Sequence, residues 1–241
     1  MSFTFNGISS DSFGIIVRDI KRPLLPDQND NYLQILGRHG SYLFNHELND
    51  RIIEIDCVLA DDTIENLRDK LRQIAVWLYV DERKPLSFAD ELDKYYLAKL
   101  DGVIDVEQII AIGQFTLRFR CEPFAYGAEQ QARFENDTAT VTNSGTFEAL
   151  PVFTATFTSV ASEWKVTLGT KYIRVVRDFQ AGDVLEANCV TGVVKVNGAS
   201  VMVDLDWQNS EFFALPSGES DLTITPVGVC DTTVKFKPRW L

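Results

Sequence analysis

The chain has 241 residues, 45% hydrophobic and 24% charged, which is an ordinary globular composition with more length than one compact core usually needs. Its formal net charge of −12 is spread over both halves, with 14 basic against 22 acidic residues up to position 130 and 9 against 13 beyond it. That balance excludes the phosphate-neutralising patch on which nucleic-acid binding rests, and it leaves no basic tract for an anionic membrane. The opening Met1-Ser2-Phe3-Thr4-Phe5-Asn6-Gly7 lacks the basic and apolar regions of a signal peptide, and no window reaches the roughly 18 apolar residues of a membrane span.

In chain order, Phe3 and Phe5 alternate with polar partners ahead of an Asn6-Gly7 turn, and Gly14 to Arg18 reads as a short strand. Arg22-Pro23-Leu24-Leu25-Pro26 leads into a segment, Asp27 to Asn31, that reads as a polar loop. After the Gly37-Arg38-His39-Gly40 turn, Arg51 to Leu59 alternates as a strand with Ile53, Ile55, Cys57 and Leu59 on one face. One helix is predicted. Asp62 and Glu65 form a capping box, and Ile64, Leu67, Leu71, Ile74, Ala75 and Leu78 fall on one stripe, with Pro85 as the stop.

Strands are predicted again at Tyr95 to Leu100, at 103–110, and at Gln114 to Glu122, where Phe115, Leu117, Phe119 and Cys121 point inward. A break between Pro123 and Gly145 marks a boundary. Beyond it, short strands recur at Val152–Thr158, Trp164–Leu168, Tyr172–Val176, Gly192–Val196, Ser200–Asp204, Leu222–Thr225 and Val229–Phe236, with a hairpin turn at Asn197-Gly198. The expected fold is an α+β domain over residues 1–130, mainly β with one helix, followed by an all-β antiparallel sandwich over 131–241. The last residues, Pro238 to Leu241, carry apolar area to bury and are expected either to return to the first domain or to cover the base of the sandwich.

The chemistry-bearing residues are few. His39 and His46 have no second ligand at metal spacing, and the four cysteines are far apart, so neither a metal nor any cofactor is expected. Asp204 and Asp206 alternate on a predicted strand beside Trp207. Carboxylates on one face can serve a glycosidase and an indole can stack on sugar, but a solvated strand face explains the pair as well. Trp164, Trp207, Phe212 and Phe213 either line a carbohydrate groove or fill the sandwich core. No phosphate-binding or nucleophile-elbow motif occurs, and no enzyme activity is expected.

Several stretches together resemble the distal tail proteins of long-tailed, non-contractile phages of Gram-positive bacteria. They are Phe3-Thr4-Phe5-Asn6-Gly7 with Ser12-Phe13-Gly14-Ile15-Ile16-Val17, the Gly37-Arg38-His39-Gly40 turn, and Tyr95-Tyr96-Leu97-Ala98-Lys99-Leu100-Asp101-Gly102. Gly113 to Gly127, Asn143 to Val152, Phe212 to Ser220 and the terminal Pro238-Arg239-Trp240-Leu241 continue the likeness through nearly the whole chain. The resemblance implies a homohexameric ring built by the first domain, with Arg38, His39 and Gly40 as candidate ring contacts. It implies a galectin-like sandwich as the second domain. As partners it implies further copies of the chain, the tail tube, and tail-tip or receptor-binding proteins, in a virion tail tip assembled from protein made in the bacterial cytoplasm. The chain lacks the long sandwich insertions that give some members a sugar-binding module. The alternative reading is a carbohydrate-binding module of a cell-surface or baseplate protein, contacting sugar through Trp164, Trp207, Asp204 and Asp206.

Overall fold

A computed structural model describes residues 2–59, 64–102 and 113–241, which fall into two compact units, 1–126 and 127–240. The predicted capping box at Asp62 and Glu65 and the predicted strand at 103–110 lie outside the described residues.

In the first unit, β1 (Phe3–Phe5) and β2 (Ile8–Ser9) form the small hairpin announced by Asn6-Gly7, followed by β3 (Ile16–Lys21). Two strands, β4 (Gln28–Gln34) and β5 (Ser41–Leu48), pair only with each other. The polar stretch at Asp27 to Asn31 is therefore largely a strand, not a loop. Then come β6 (Arg51–Val58), α1 (Ile64–Leu78), β7 (Lys84–Phe88), β8 (Glu91–Leu100) and β9 (Gln114–Tyr126). The main sheet runs β2-β1-β7-β8-β9-β6-β3, antiparallel at each step. The helix ends at Leu78, well before Pro85, which sits inside β7.

Alternation sets the core of this unit. Ile53, Ile55 and Cys57 of β6 lie opposite Phe119, Leu117 and Phe115 of β9, and all six are buried. The helix adds Leu67, Leu71, Ile74, Trp77 and Leu78, whereas Ala75 on the predicted stripe is exposed. Trp77 is the centre of the packing. Its ring stacks on Phe13 at 4.6 Å and on Phe3 at 5.7 Å, and its Nε1–H donates to the Phe5 carbonyl at 3.0 Å. That bond satisfies the one polar atom of an otherwise apolar side chain, which is how a tryptophan is buried at low cost.

The second unit is an antiparallel sandwich. One sheet runs β10 (Gln130–Arg133), β19 (Cys230–Phe236), β12 (Val152–Phe157), β15 (Val184–Asn188), β16 (Val193–Val196) and β17 (Ala199–Ser200). The other runs β11 (Thr138–Asn143), β18 (Gly218–Thr225), β13 (Ala161–Leu168) and β14 (Lys171–Phe179). Inward residues follow the two-residue period: Phe153, Ala155 and Phe157 in β12, Trp164 and Val166 in β13, Ile173 and Val175 in β14. The Asn197-Gly198 turn joins β16 to β17 with both residues at positive φ, 50° and 81°, the geometry that a two-residue hairpin loop demands. After Ser200 the predicted strand gives way to a single 3-10 turn, Met202–Asp204. The segment expected as an interdomain break instead supplies β10 and β11.

Candidate interaction surfaces

The β4–β5 hairpin is a projecting arm. Its stem is closed by Asn49 N–H donating to the Asp27 carbonyl at 2.8 Å, and its strands pair from Gln28–Leu48 to Gln34–Ser41 with one irregularity beside Asn31. Asp30 and His46 are cross-strand partners with Oδ1 and Nδ1 2.6 Å apart, and Tyr32 Oη donates to the same carboxylate at 3.1 Å. The bond from His46 holds the Asp30 carboxyl below the usual carboxylate range. At the tip, the Arg38 amide turns back to the Ile35 carbonyl, and the Arg38 guanidinium lies 3.4 Å from the Tyr42 ring centroid. Arg38, His39 and Gly40 thus sit together at an exposed tip.

Seven of the 22 large apolar side chains exposed among the described residues belong to the 21 residues Gln28 to Leu48. That concentration is what separates the arm from the rest of the surface, where exposed apolar side chains are scattered. Directly opposed residues share a face, so Tyr32 with Leu43 and Leu33 with Tyr42 place apolar side chains on both faces of the ribbon. The sequence carried this signal, in Tyr32, Leu33, Tyr42, Leu43 and Phe44, but the call at Asp27 to Asn31 stopped short of it.

A charged ladder covers the outer side of the main sheet. Arg83 donates to both Asp50 oxygens at 2.8 Å, Arg120 reaches Asp101 at 3.1 Å and Asp50 at 3.7 Å, and Tyr126 Oη donates to Glu122. These pairs neutralise one another and leave no unbalanced field there.

In the sandwich, the structure separates the four residues grouped as a sugar site. Trp164 is fully buried, beside Phe153 in the core, and Phe213 is buried with them. Trp207 is 64% exposed and is anchored by Nε1–H to the Met202 carbonyl at 2.8 Å. Asp204 lies in the 3-10 turn and pairs with Arg177 at 3.1 Å; Asp206 follows that turn and lies 3.6 Å from Arg174, which also holds Glu163. The two carboxylates do not alternate along a strand. Each is bound by an arginine of β14, an arrangement that fastens the 202–210 segment to the sheet, with Asp206 N–H donating to the Arg174 carbonyl at 2.9 Å.

Among the described residues no group of three or more His, Cys, Asp or Glu side chains could hold a metal ion. Burial pushes the thiols of Cys57, Cys121 and Cys189 up to about 12, as expected for packed sulfur with no charge to stabilise a thiolate. No described helix is long and apolar enough to cross a membrane.

Comparison with known proteins follows the same division. Residues 12–121 match a phage tail protein RIFT-related domain, and residues 144–240 match the siphovirus-type tail component C-terminal domain. The distal tail protein of Bacillus phage SPP1 is 25% identical over 209 residues, covering 84% of this chain and 83% of its own. An SPbeta prophage-derived protein of Bacillus subtilis strain 168, YomH, is 29% identical over 149 residues, covering 58% of this chain and 57% of its own. The crystal structure of SPP1 Dit, described as a paradigm of the hub adsorption apparatus in phages infecting Gram-positive bacteria, has the same fold. It aligns with a TM-score of 0.80 at 22% identity over 100% of this chain and 99% of its own. With one tail-protein match on each unit and a distal tail protein aligned across both, the chain belongs to the distal tail protein family of siphophages.

Proposed function

We propose that this protein is the hub of a phage tail tip, a homohexameric ring that joins the tail tube to the host-adsorption apparatus. The observation that carries the reading is the alignment with the SPP1 distal tail protein across both units, since a hub needs an assembling part and a presenting part in one chain. The exposed apolar arm supports it: a surface of this kind belongs to a protein that functions covered. In this reading Arg38, His39 and Gly40 at the arm tip are ring contacts, and the tail tube and tail-tip proteins are the other partners. The protein works by presenting surfaces and catalyses nothing, in keeping with carboxylates bound to arginines and cysteines locked as thiols. The test is light scattering over a concentration series together with negative-stain electron microscopy. A particle of six chain masses with a central opening is expected; a monomer at every concentration, with no rings on the grid, overturns the reading.

A second reading, a carbohydrate contact on the sandwich, draws on Trp207 alone, whose indole is exposed and held in a fixed orientation. Glycan-array binding that disappears in Trp207→Ala would support it, and an array with no signal would remove it.

A further inference from the structure

An isolated two-stranded ribbon is marginal in water, and this one exposes apolar side chains on both faces and unpaired backbone on both outer edges. Its partner must therefore offer two things at once, an open strand edge and apolar contact. This chain carries such a surface itself. β3 is the last strand of the main sheet, and among the described residues its outer edge is unpaired. Its six residues are close in length to the seven of β4 and the eight of β5. Ile16 at its start is 61% exposed, and Arg18 is exposed with no hydrogen bond or ion pair among the described residues.

Charge favours the same match. From Asp27 to Asn49 the arm holds Asp27, Asp30 and Glu47 against Arg38, a net −2 with neutral histidines. From Ile16 to Arg22 the edge holds Arg18, Lys21 and Arg22 against Asp19, a net +2. Lys21 is already paired with Asp56, and Arg22 with Asp90 and Glu91, so Arg18 is the cation left to meet the acidic stem.

We propose that the arm of one copy adds to the free β3 edge of the next, extending the neighbour's sheet by β-augmentation. The proposal rests on the ring reading above and names its joint. Arm and edge are different patches of one chain, so the contact is heterologous: each copy gives an arm and receives one. Such contacts build rings when the rotation closes, and do not stop at a two-fold dimer.

The experiment uses two variants of the full chain. In the first, residues 28–48 are replaced by Gly-Ser-Gly, a short bridge that suits the hydrogen-bonded Asp27 and Asn49. In the second, Ile16→Asp and Arg18→Glu block the edge. Melting curves and the fluorescence of buried Trp77 establish that each variant is folded. By light scattering each variant alone should run at one chain mass, and the equimolar mixture at two, because the arm of the edge-blocked chain can still dock on the edge of the armless one. If the wild type forms rings and either variant also does, the proposal fails and the ring reading stands. If the edge-blocked variant alone dimerises, the arms pair with each other, and the proposal is again overturned. A mixture that stays monomeric counts against it in the same way. A wild type that is monomeric at every concentration overturns both the ring and its joint. If the arm instead serves only the tail tube, the armless chain assembles as the wild type does and fails only to bind tubes.

Discussion

A Cβ placed on Gly145 would lie 2.2 Å from the carbonyl oxygen of Arg239 and 2.7 Å from its amide nitrogen. The two backbones touch because the terminal segment is laced into the second unit on either side of them. Phe147 N–H donates to the Arg239 carbonyl at 3.0 Å, Gly127 N–H donates to the Pro238 carbonyl at 3.0 Å, and Arg239 Nε donates to the Glu148 carbonyl at 2.6 Å. The turn at Gly145 is held in its own right. Asn143 is buried with all its capacity used, its amide donating to the carbonyls of Phe147 and Leu215 and its oxygen accepting from Gly145 N–H. Since backbone, not a pliable side chain, opposes the added methyl, Gly145→Ala should destabilise the sandwich by roughly 2–4 kcal/mol, as overpacking does at its upper range. Urea denaturation followed in the sandwich checks this, and an unchanged midpoint would mean that the terminal segment moves aside freely.

Removing residues 238–241 takes away the same joint from the other side. It deletes three hydrogen bonds to the second unit and the Trp240 ring that packs over Gly127. A fall in melting temperature of several degrees is expected, in line with the roughly 4–8 °C per kcal/mol seen for domains of this size. An unchanged melting temperature would show the terminus to be unpacked.

Trp77→Phe isolates a single hydrogen bond. The smaller ring keeps most of the stacking on Phe3 and Phe13 but leaves the Phe5 carbonyl without its indole donor. A loss of about 1–3 kcal/mol in the stability of the first unit is expected, from the lost bond and the volume not refilled. Trp77→Ala should cost more, about 3–5 kcal/mol.

The buried thiols fix a behaviour at high pH. Cys57, Cys121 and Cys189 ionise near 12 in the folded chain against about 9 for an exposed thiol, because burial penalises the thiolate. Above pH 9 the unfolded chain therefore releases protons that the folded chain retains. The stabilisation is complete below pH 9 and is lost progressively as the pH rises toward 12. Thermal melts in reductant from pH 8 to 11 should show a steep decline, made shallower in Cys57→Ala once its own destabilisation is subtracted. In the native state at neutral pH these three thiols should resist alkylation.

Asp204→Asn and Asp206→Asn should change stability by no more than about 1 kcal/mol, since each removes one partner of a partly exposed ion pair. Neither should abolish any glycan cleavage. Loss of a measurable hydrolase activity in a folded Asp204→Asn protein would show that the turn carries chemistry after all.

Much of this molecule can be read from the order of its residues, and the failures have a common cause. Where a strand has one wet and one dry face, the period shows: Phe115, Leu117, Phe119 and Cys121 all go inward, as do Ile53, Ile55, Cys57 and Leu59. The arm escapes that logic, because a ribbon that is apolar on both faces and polar at its stem has no dry side to impose alternation. The short strand Val184–Asn188 was missed for a similar reason, as only Leu185 and Ala187 are dry. At Ser200 to Asp204 a genuine alternation proved misleading. Val201 is buried, but Val203 belongs to a turn that two arginines of a neighbouring strand hold down, and such long-range anchors leave no trace in the local pattern. Trp164 and Trp207 differ only in their surroundings, one deep in the core and the other on the surface, so composition alone could not tell them apart.

The arm also sets a threshold on when this protein changes from a free chain to a built part. A ribbon left uncovered gains little from its own hydrogen bonds and loses conformational entropy in holding its shape. The cost of straightening it falls due only when something covers it. At low copy number the two units can stand folded on their own cores while the arm remains a poor contact. As copies accumulate, each arm that docks pays its ordering cost once, and the next joint gains from ends already held in place. The arm therefore works as a delay, keeping the tail tip from being built before enough chains exist to finish it.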